Sequence, residues 1–323
     1  MPMLGVLKAK EMEKSSGSMT KVKSSLEALG YAHDTKLLVI HADDAGLSHS
    51  ENRATIEALK LGTVNSYSIM VPCPWFYEIA EFARQHHNFD YGVHLTLTCE
   101  WNSYKFGPVL SNKDVPSLVD QHGYFYKTRK EVVENANLKE LKNELCAQID
   151  RALSFGLLPS HLDSHMYTLG ASMEFLDIYR EIGQLYKLPV MLNASLIKEV
   201  SEIHPGELKL KNEILVDRIY LGNIKTYEAG KLSEYYANSI KNLDPGLNMI
   251  LIHPAFDDPE MQSITKNHPN FGASWRQIDL EFFSSSRCKK IIKEQGIEMI
   301  SWQEIKNRLH PQKTDPPKNY RSQ

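Results

Sequence analysis

The chain has no run of about 18 consecutive apolar residues, the length a helix needs to cross a bilayer, which excludes an ordinary helical membrane protein. Its first 20 residues are polar and lysine-bearing and lack the apolar stretch of a secretory signal, so the expected location is cytoplasmic. Cysteine is sparse. Cys73, Cys99, Cys146 and Cys288 stand far apart with no C-x-x-C spacing, which argues against a zinc ribbon or a disulfide framework. Excess charge of one sign is missing too: 37 Lys and Arg against 40 Asp and Glu leave a net charge of -3, so nothing attracts nucleic acid or an anionic membrane. The partner expected is a small neutral molecule, with a homodimer as a further possibility.

What the chain does have is 42% hydrophobic residues over 323 positions, enough for a large core. Short β-branched runs alternate with helical patterns, the signature of repeated βα units. Strands are expected at 36–41, 64–71, 91–97, 160–163, 188–192, 217–221, 248–252 and 298–300. Ser48-His49-Ser50-Glu51 reads as a capping box opening a helix that Gly62 ends. Leu138, Leu141, Leu145, Ile149 and Ala152 recur at helical spacing until Gly156. These elements predict an α/β fold, a distorted (β/α) barrel of about seven or eight strands. A doubly wound open sheet is the alternative, but no G-x-G-x-x-G follows the first strand. The expected organisation is a disordered tail at 1–20, a single barrel domain over 21–312 and a second tail at 313–323. An insertion at 99–130 lacks periodicity and carries Trp101, Tyr104, Phe106, Tyr124, Phe125 and Tyr126; it is either a binding loop or a loop packed down by its aromatics.

In a barrel the active site lies at the carboxyl ends of the strands. Four reactive groups fall there: Asp43-Asp44 after the first strand, His94 in the third, His161-Leu162-Asp163-Ser164-His165 at the fourth, and His253-Pro254 at a later one. Each alone has an ordinary explanation as a turn, a core histidine or a loop entry. Their coincidence at strand ends favours one shared site. His161, Asp163 and His165 alternate, so in an extended segment all three face the same side. A carboxylate with two imidazoles is a common catalytic metal set, and the remaining Asp and His are then free for acid-base work. One divalent metal ion (Zn, Mg, Mn, Co or Ni) is the expected cofactor, with imidazole ligands favouring the others over Mg. The reaction class implied is metal-assisted hydrolysis.

The elements Ala42-Asp43-Asp44-x-Gly46-Leu47-Ser48, Gly92-Val93-His94-Leu95-Thr96-Leu97-Thr98, Pro159-Ser160-His161-Leu162-Asp163-Ser164-His165 and His253-Pro254-Ala255, in that order, resemble the YdjC-like carbohydrate deacetylase family. Trp275-Arg276-x-x-Asp279 and the stretch from Gly296-Ile297 to Ser301-Trp302 extend the likeness. The resemblance implies a distorted, glycoside hydrolase/deacetylase-like barrel that removes N-acetyl groups from amino sugars or their oligosaccharides. It further implies Asp44, His94 and His165 as metal ligands, Asp43 as the base that deprotonates water and His253 as the acid. Arg276 is expected to orient Asp43 through a bidentate pair, or else to be a plain ion pair. Trp75 and Trp101 are candidates for stacking on a sugar, and His161 and Asp163 complete the expected substrate-binding set. The chain departs from the family at His41, where many members have Asn, at Ala45, where they have Phe, and at Met166-Tyr167-Thr168-Leu169, where a His-rich run is usual. These departures bear on substrate more than on metal. An isomerase or lyase with similar ligands, or a non-catalytic glycan-binding relative, are the other classes weighed.

Overall fold

The computed structural model describes residues 24–203 and 213–309; the two expected tails lie outside the described residues. Among the described residues seven strands, all paired in parallel, make one sheet: β1 (Lys36–Ala45), β2 (Ser66–Ile69), β3 (Tyr91–Leu95), β4 (Leu162–Ser164), β5 (Arg218–Leu221), β6 (Gly246–Ile252) and β7 (Glu298–Met299). Six run side by side in the order β4-β3-β2-β1-β6-β5, and β7 pairs with the start of β1. The sheet curls. Single parallel bridges, Leu162 to Val190 and Leu192 to Leu215, connect the β4 edge to the segment that leads into β5. The barrel is therefore distorted at one arc, where the strand expected at 188–192 is reduced to isolated bridges. Pro189 contributes only its carbonyl there, accepting from Leu162 N–H at 2.9 Å, because proline has no N–H to extend a ladder.

β1 is the axis of the fold, and its residues Leu37 to Ile40 are completely buried, as a central parallel strand requires. It pairs with β6 from Lys36–Gly246 to Ala42–Ile252. Helices cover the outer face. The helix Leu138–Ser154 presents Leu141, Leu145, Ile149 and Ala152 to the sheet, each fully buried; burial of each larger aliphatic chain contributes roughly 1.5–3 kcal/mol. At the opposite end from the site, Asp90 accepts the N–H groups of Trp302 and Gln303 at 3.0 and 2.8 Å and so anchors the helix Trp302–Leu309 under the barrel.

The capping box at Ser48 is only half formed. Ser48 Oγ accepts from Glu51 N–H at 3.0 Å, but the Glu51 carboxylate turns away to Arg276. The insertion is ordered, with Phe106 and Phe125 buried and Val119 bridging Phe125. Among the described residues no helix is long and apolar enough to cross a membrane.

Candidate active site

In a regular strand neighbouring side chains point to opposite faces, so Asp43 and Asp44 would be separated. They are brought together by a register irregularity in β1 between Ala42 and Ala45 and by a left-handed backbone at Asp44, φ 66°. Aspartate tolerates this conformation better than most residues, and its cost is of a kind that persists where surrounding contacts hold it. Asp44 Oδ1 then lies 3.1 Å from His165 Nδ1 and 3.4 Å from His94 Nε2. Asp43 Oδ2 lies 3.7 Å from His253 Nε2, and its Oδ1 lies 3.2 Å from His41 Nε2. All these groups except His41 line a cavity of about 330 Å³, together with Glu100, Trp101 and Arg276.

Behind the cavity a second layer of polar groups holds the first. His94 turns Nδ1 toward Asp163 Oδ1 at 2.9 Å and Ser68 Oγ at 3.0 Å, which leaves Nε2 facing Asp44. His41 sits between Ser66, Ser68, Asp163 and Asp43, with Nδ1 2.9 Å from Ser66 Oγ and Nε2 2.9 Å from Asp163 Oδ2. His165 Nε2 lies 2.9 Å from Glu100 Oε2. Arg276 places one guanidinium nitrogen 3.0 Å from Asp44 Oδ2 and another against the Glu51 carboxylate, while its Nε–H donates to Phe271 O at 2.8 Å.

The field is strongly cation-seeking. Burial disfavours the charged form of His94, yet Asp163 and Asp43 outweigh it and raise its pKa well above the usual value. Burial also opposes charging of His165, and Glu100 and Asp44 still lift it to about 9. His41 shows the same pattern, with burial overcome by Asp163 and Asp43, and reaches about 9. His253 is the exception: burial lowers it to about 4 against the pull of Asp44 and Asp43, so its resting form is the neutral imidazole. Burial raises Glu51 well above the carboxylate range despite Arg276.

Several expected positions fall elsewhere. Arg276 pairs with Asp44 and Glu51 and not with Asp43. His161 is fully buried away from the cavity, stacked on Trp302 at 5.0 Å, and its Nδ1 meets Ser160 Oγ at 2.8 Å. It shares a side with Asp163 and His165, but two residues of extended chain advance roughly 6.6 Å, so the alternating residues occupy successive depths. Asp163 stands one level up, under His94 and His41, and does not line the cavity. Trp75 precedes the helix Phe76–Gln85 on the surface, 37% exposed and packed on His49, so it faces solvent instead of substrate. Trp101 does line the cavity, with Arg276 over its ring at 5.5 Å. Neither Glu100 nor Glu51 stands out in the sequence as a site residue. Glu100 is hidden in the aperiodic insertion, and Glu51 carries the signature of a helix cap.

Asp44, His94 and His165 offer one ligand atom each, all within 4.8 Å of one another and all buried. Among the described residues two other triples lie as close together, His41-His161-Asp163 and Asp43-His94-Asp163. His41, His161 and Asp163 lie outside the cavity lining, and both ring nitrogens of His41 already have partners. The first triple alone opens wholly onto the cavity. Two imidazoles and a carboxylate with a surplus of nearby carboxylates fit a divalent ion.

Residues 37–294 match the model of a family described as YdjC-like protein. A carbohydrate deacetylase of Enterococcus faecalis is 32% identical over 274 residues, covering 84% of this chain and 98% of its own length. A chitooligosaccharide deacetylase of Serratia marcescens is 27% identical over 281 residues, covering 84% and 99%. A solved Enterococcus faecalis V583 structure named for cellobiose-phosphate cleavage superposes with a TM-score of 0.70 at 29% identity, covering 84% and 99%. With a family match over most of its length and the motif residues gathered at one cavity, this chain belongs to the YdjC-like family.

Proposed function

We propose that the protein is a metal-dependent carbohydrate deacetylase that hydrolyses the N-acetyl group of an acetylated amino sugar or oligosaccharide. The observation that carries this reading is the convergence of Asp44, His94 and His165 on one face of a cavity whose other reactive groups are Asp43 and His253. The names of the relatives, carbohydrate and chitooligosaccharide deacetylases, support the same chemistry.

Asp44, His94 and His165 would hold the ion, with Zn, Mn, Co or Ni favoured over Mg by the imidazoles. When bound, such an ion supplies Lewis acidity at the acyl carbonyl and acidifies the attacking water. The protein's own groups do the rest. Asp163 and Ser68 fix the His94 ring from behind, and Glu100 does so for His165. Arg276 clamps the second oxygen of Asp44 and offsets its charge. Asp43, held from behind by His41, accepts the proton of the attacking water. His253 faces Asp43 and serves the departing nitrogen. Because it rests as the neutral imidazole, the proton it delivers is one it takes up during the reaction.

An acetate-release assay over N-acetylated mono- and oligosaccharides, with several divalent metals and with a chelator, tests the reading. The expected result is metal-dependent acetate release that the chelator abolishes. Glycan binding without turnover under every metal would replace it with a non-catalytic role.

A further inference from the structure

The other histidines of the site are oriented by polar partners at both ring nitrogens or at the one behind the cavity: His94 by Asp163 and Ser68, His165 by Asp44 and Glu100, His41 by Ser66 and Asp163. His253 is not. Its Nδ1 is buried with no hydrogen-bond partner among the described residues, and its Nε2 stands 3.7 Å from Asp43 Oδ2, too far for a hydrogen bond. The backbone around it is held: its N–H donates to Asp279 Oδ2 at 3.0 Å, and Ala255 N–H donates to Arg276 O at 3.3 Å. A fixed backbone with unbonded ring nitrogens leaves the direction of the imidazole to packing.

Phe271 supplies that packing. Its ring centroid lies 4.7 Å from that of His253, and on the same ring Trp275 also packs at 4.7 Å. Trp275 is fully buried and stacks on Tyr227 at 5.1 Å, so Phe271 has a firm backing. The backbone of Phe271 is left-handed, φ 56°, an uncommon state for a bulky residue that persists only where contacts hold it. Several do. Phe271 O accepts Arg276 Nε–H at 2.8 Å, and Ala273 N–H donates to Thr265 Oγ1 at 3.1 Å. Between them stands Gly272, where a Cβ would come within 2.9 Å of His268 O. Arg276 in turn reaches Asp44 Oδ2 at 3.0 Å. One residue in a strained conformation thus touches both halves of the site, the arginine that clamps Asp44 through its carbonyl and His253 through its ring.

We infer that Phe271 is a positioning residue that orients His253, in the place of the hydrogen-bonded partner that a functional histidine ordinarily has. The inference rests on the hydrolytic reading above. With Nδ1 buried, Nε2 is the nitrogen that faces Asp43 and can serve the departing group. An aromatic neighbour fixes the direction of the imidazole without raising its basicity as a carboxylate would.

The test uses the full-length, metal-loaded protein, two substrates and one structure. Di-N-acetylchitobiose loses an amine that needs a proton, whereas 4-nitrophenyl acetate loses a phenolate that departs without one. In Phe271→Ala, and in Phe271→Leu should the first misfold, kcat on the amide is expected to fall about 10²-fold, the cost of a misplaced catalytic group. The loss on the ester is expected to be much smaller, and Phe271→Tyr, which keeps the ring, is expected to restore the amide rate. Equal losses on both substrates overturn the inference, because general damage to the site gives that result. A crystal structure of the alanine or leucine variant decides the matter without turnover: His253 is expected to rotate away from Asp43, and a ring left in place overturns the inference. Absence of acetate release by the unmutated protein with every metal would sink the hydrolytic reading instead, and the orientation of His253 would then be decided by that structure alone.

Discussion

The two arcs of the barrel are built on opposite principles. From β1 to β4, polar side chains from neighbouring strands interlock: Ser66, Ser68, His41, Asp163 and His94 form one buried network whose outermost members face the cavity. From 190 to β5, the ladder thins to single bridges and the side chains lining the cavity are aliphatic except for Glu199. Reaction chemistry needs groups fixed to fractions of an ångström, and an interlocked polar network carried on paired strands provides that.

This contrast can be broken most sharply at Asp43. Asp43→Asn is expected to lower turnover about 10²- to 10⁴-fold, the range for losing a general base, while leaving bound metal unchanged. Turnover measured beside metal content checks it, and an unimpaired variant would remove Asp43 from the reaction. Arg276→Ala is expected to cost about 3–5 kcal/mol of stability by leaving Asp44 and Glu51 buried without their cation. Leu196→Ala on the other arc, half-buried, should cost about 1 kcal/mol. Urea titrations of the two variants compare the arcs directly, and equal losses would dissolve the contrast.

Glu100→Gln sharpens it in another way, because Glu100 comes from the insertion and not from a strand. If it orients His165 as the 2.9 Å contact indicates, its loss should weaken metal affinity about 10- to 100-fold. Competition with a chromogenic chelator reads this, and unchanged affinity would make the contact incidental. The smallest effect is one of pH. Asp279 accepts the His253 N–H at 3.0 Å and the Tyr236 hydroxyl at 2.7 Å, and burial raises its pKa from 3.8 to about 7. The folded state thus holds a proton that the unfolded chain gives up. The resulting stability is complete below pH 3.8 and is lost as pH rises through 7. Melting temperatures across that window should fall more steeply in the parent than in Asp279→Asn; parallel curves would contradict this.

Much of the fold was legible because each strand is a compact β-branched run bounded by turn residues, and seven of the eight expected runs form strands. The eighth, at 188–192, contains Pro189, and a proline limits the ladder in a way composition alone understates. That Asp43-Asp44, His94, the His161–His165 segment and His253 would gather was legible from their positions at strand ends, whereas the choice of Asp44, His94 and His165 among them came from the family resemblance. The partners behind them were not legible. Glu51 satisfies the local pattern of a helix cap, and only the distant Arg276 reveals its other use. The pairing of Arg276 with Asp44 in place of Asp43 depends on the irregularity in β1, which adjacent aspartates do not announce. His161 lies away from the cavity because alternation fixes a face and says nothing of depth.

The proposed ion would be held by three side chains, Asp44 from β1, His94 from β3 and His165 just after β4. Metal analysis of the purified parent beside His94→Ala and His165→Ala measures this most directly. About one equivalent of a divalent transition metal in the parent and almost none in either folded variant is the predicted result. Equal metal content in all three would contradict it.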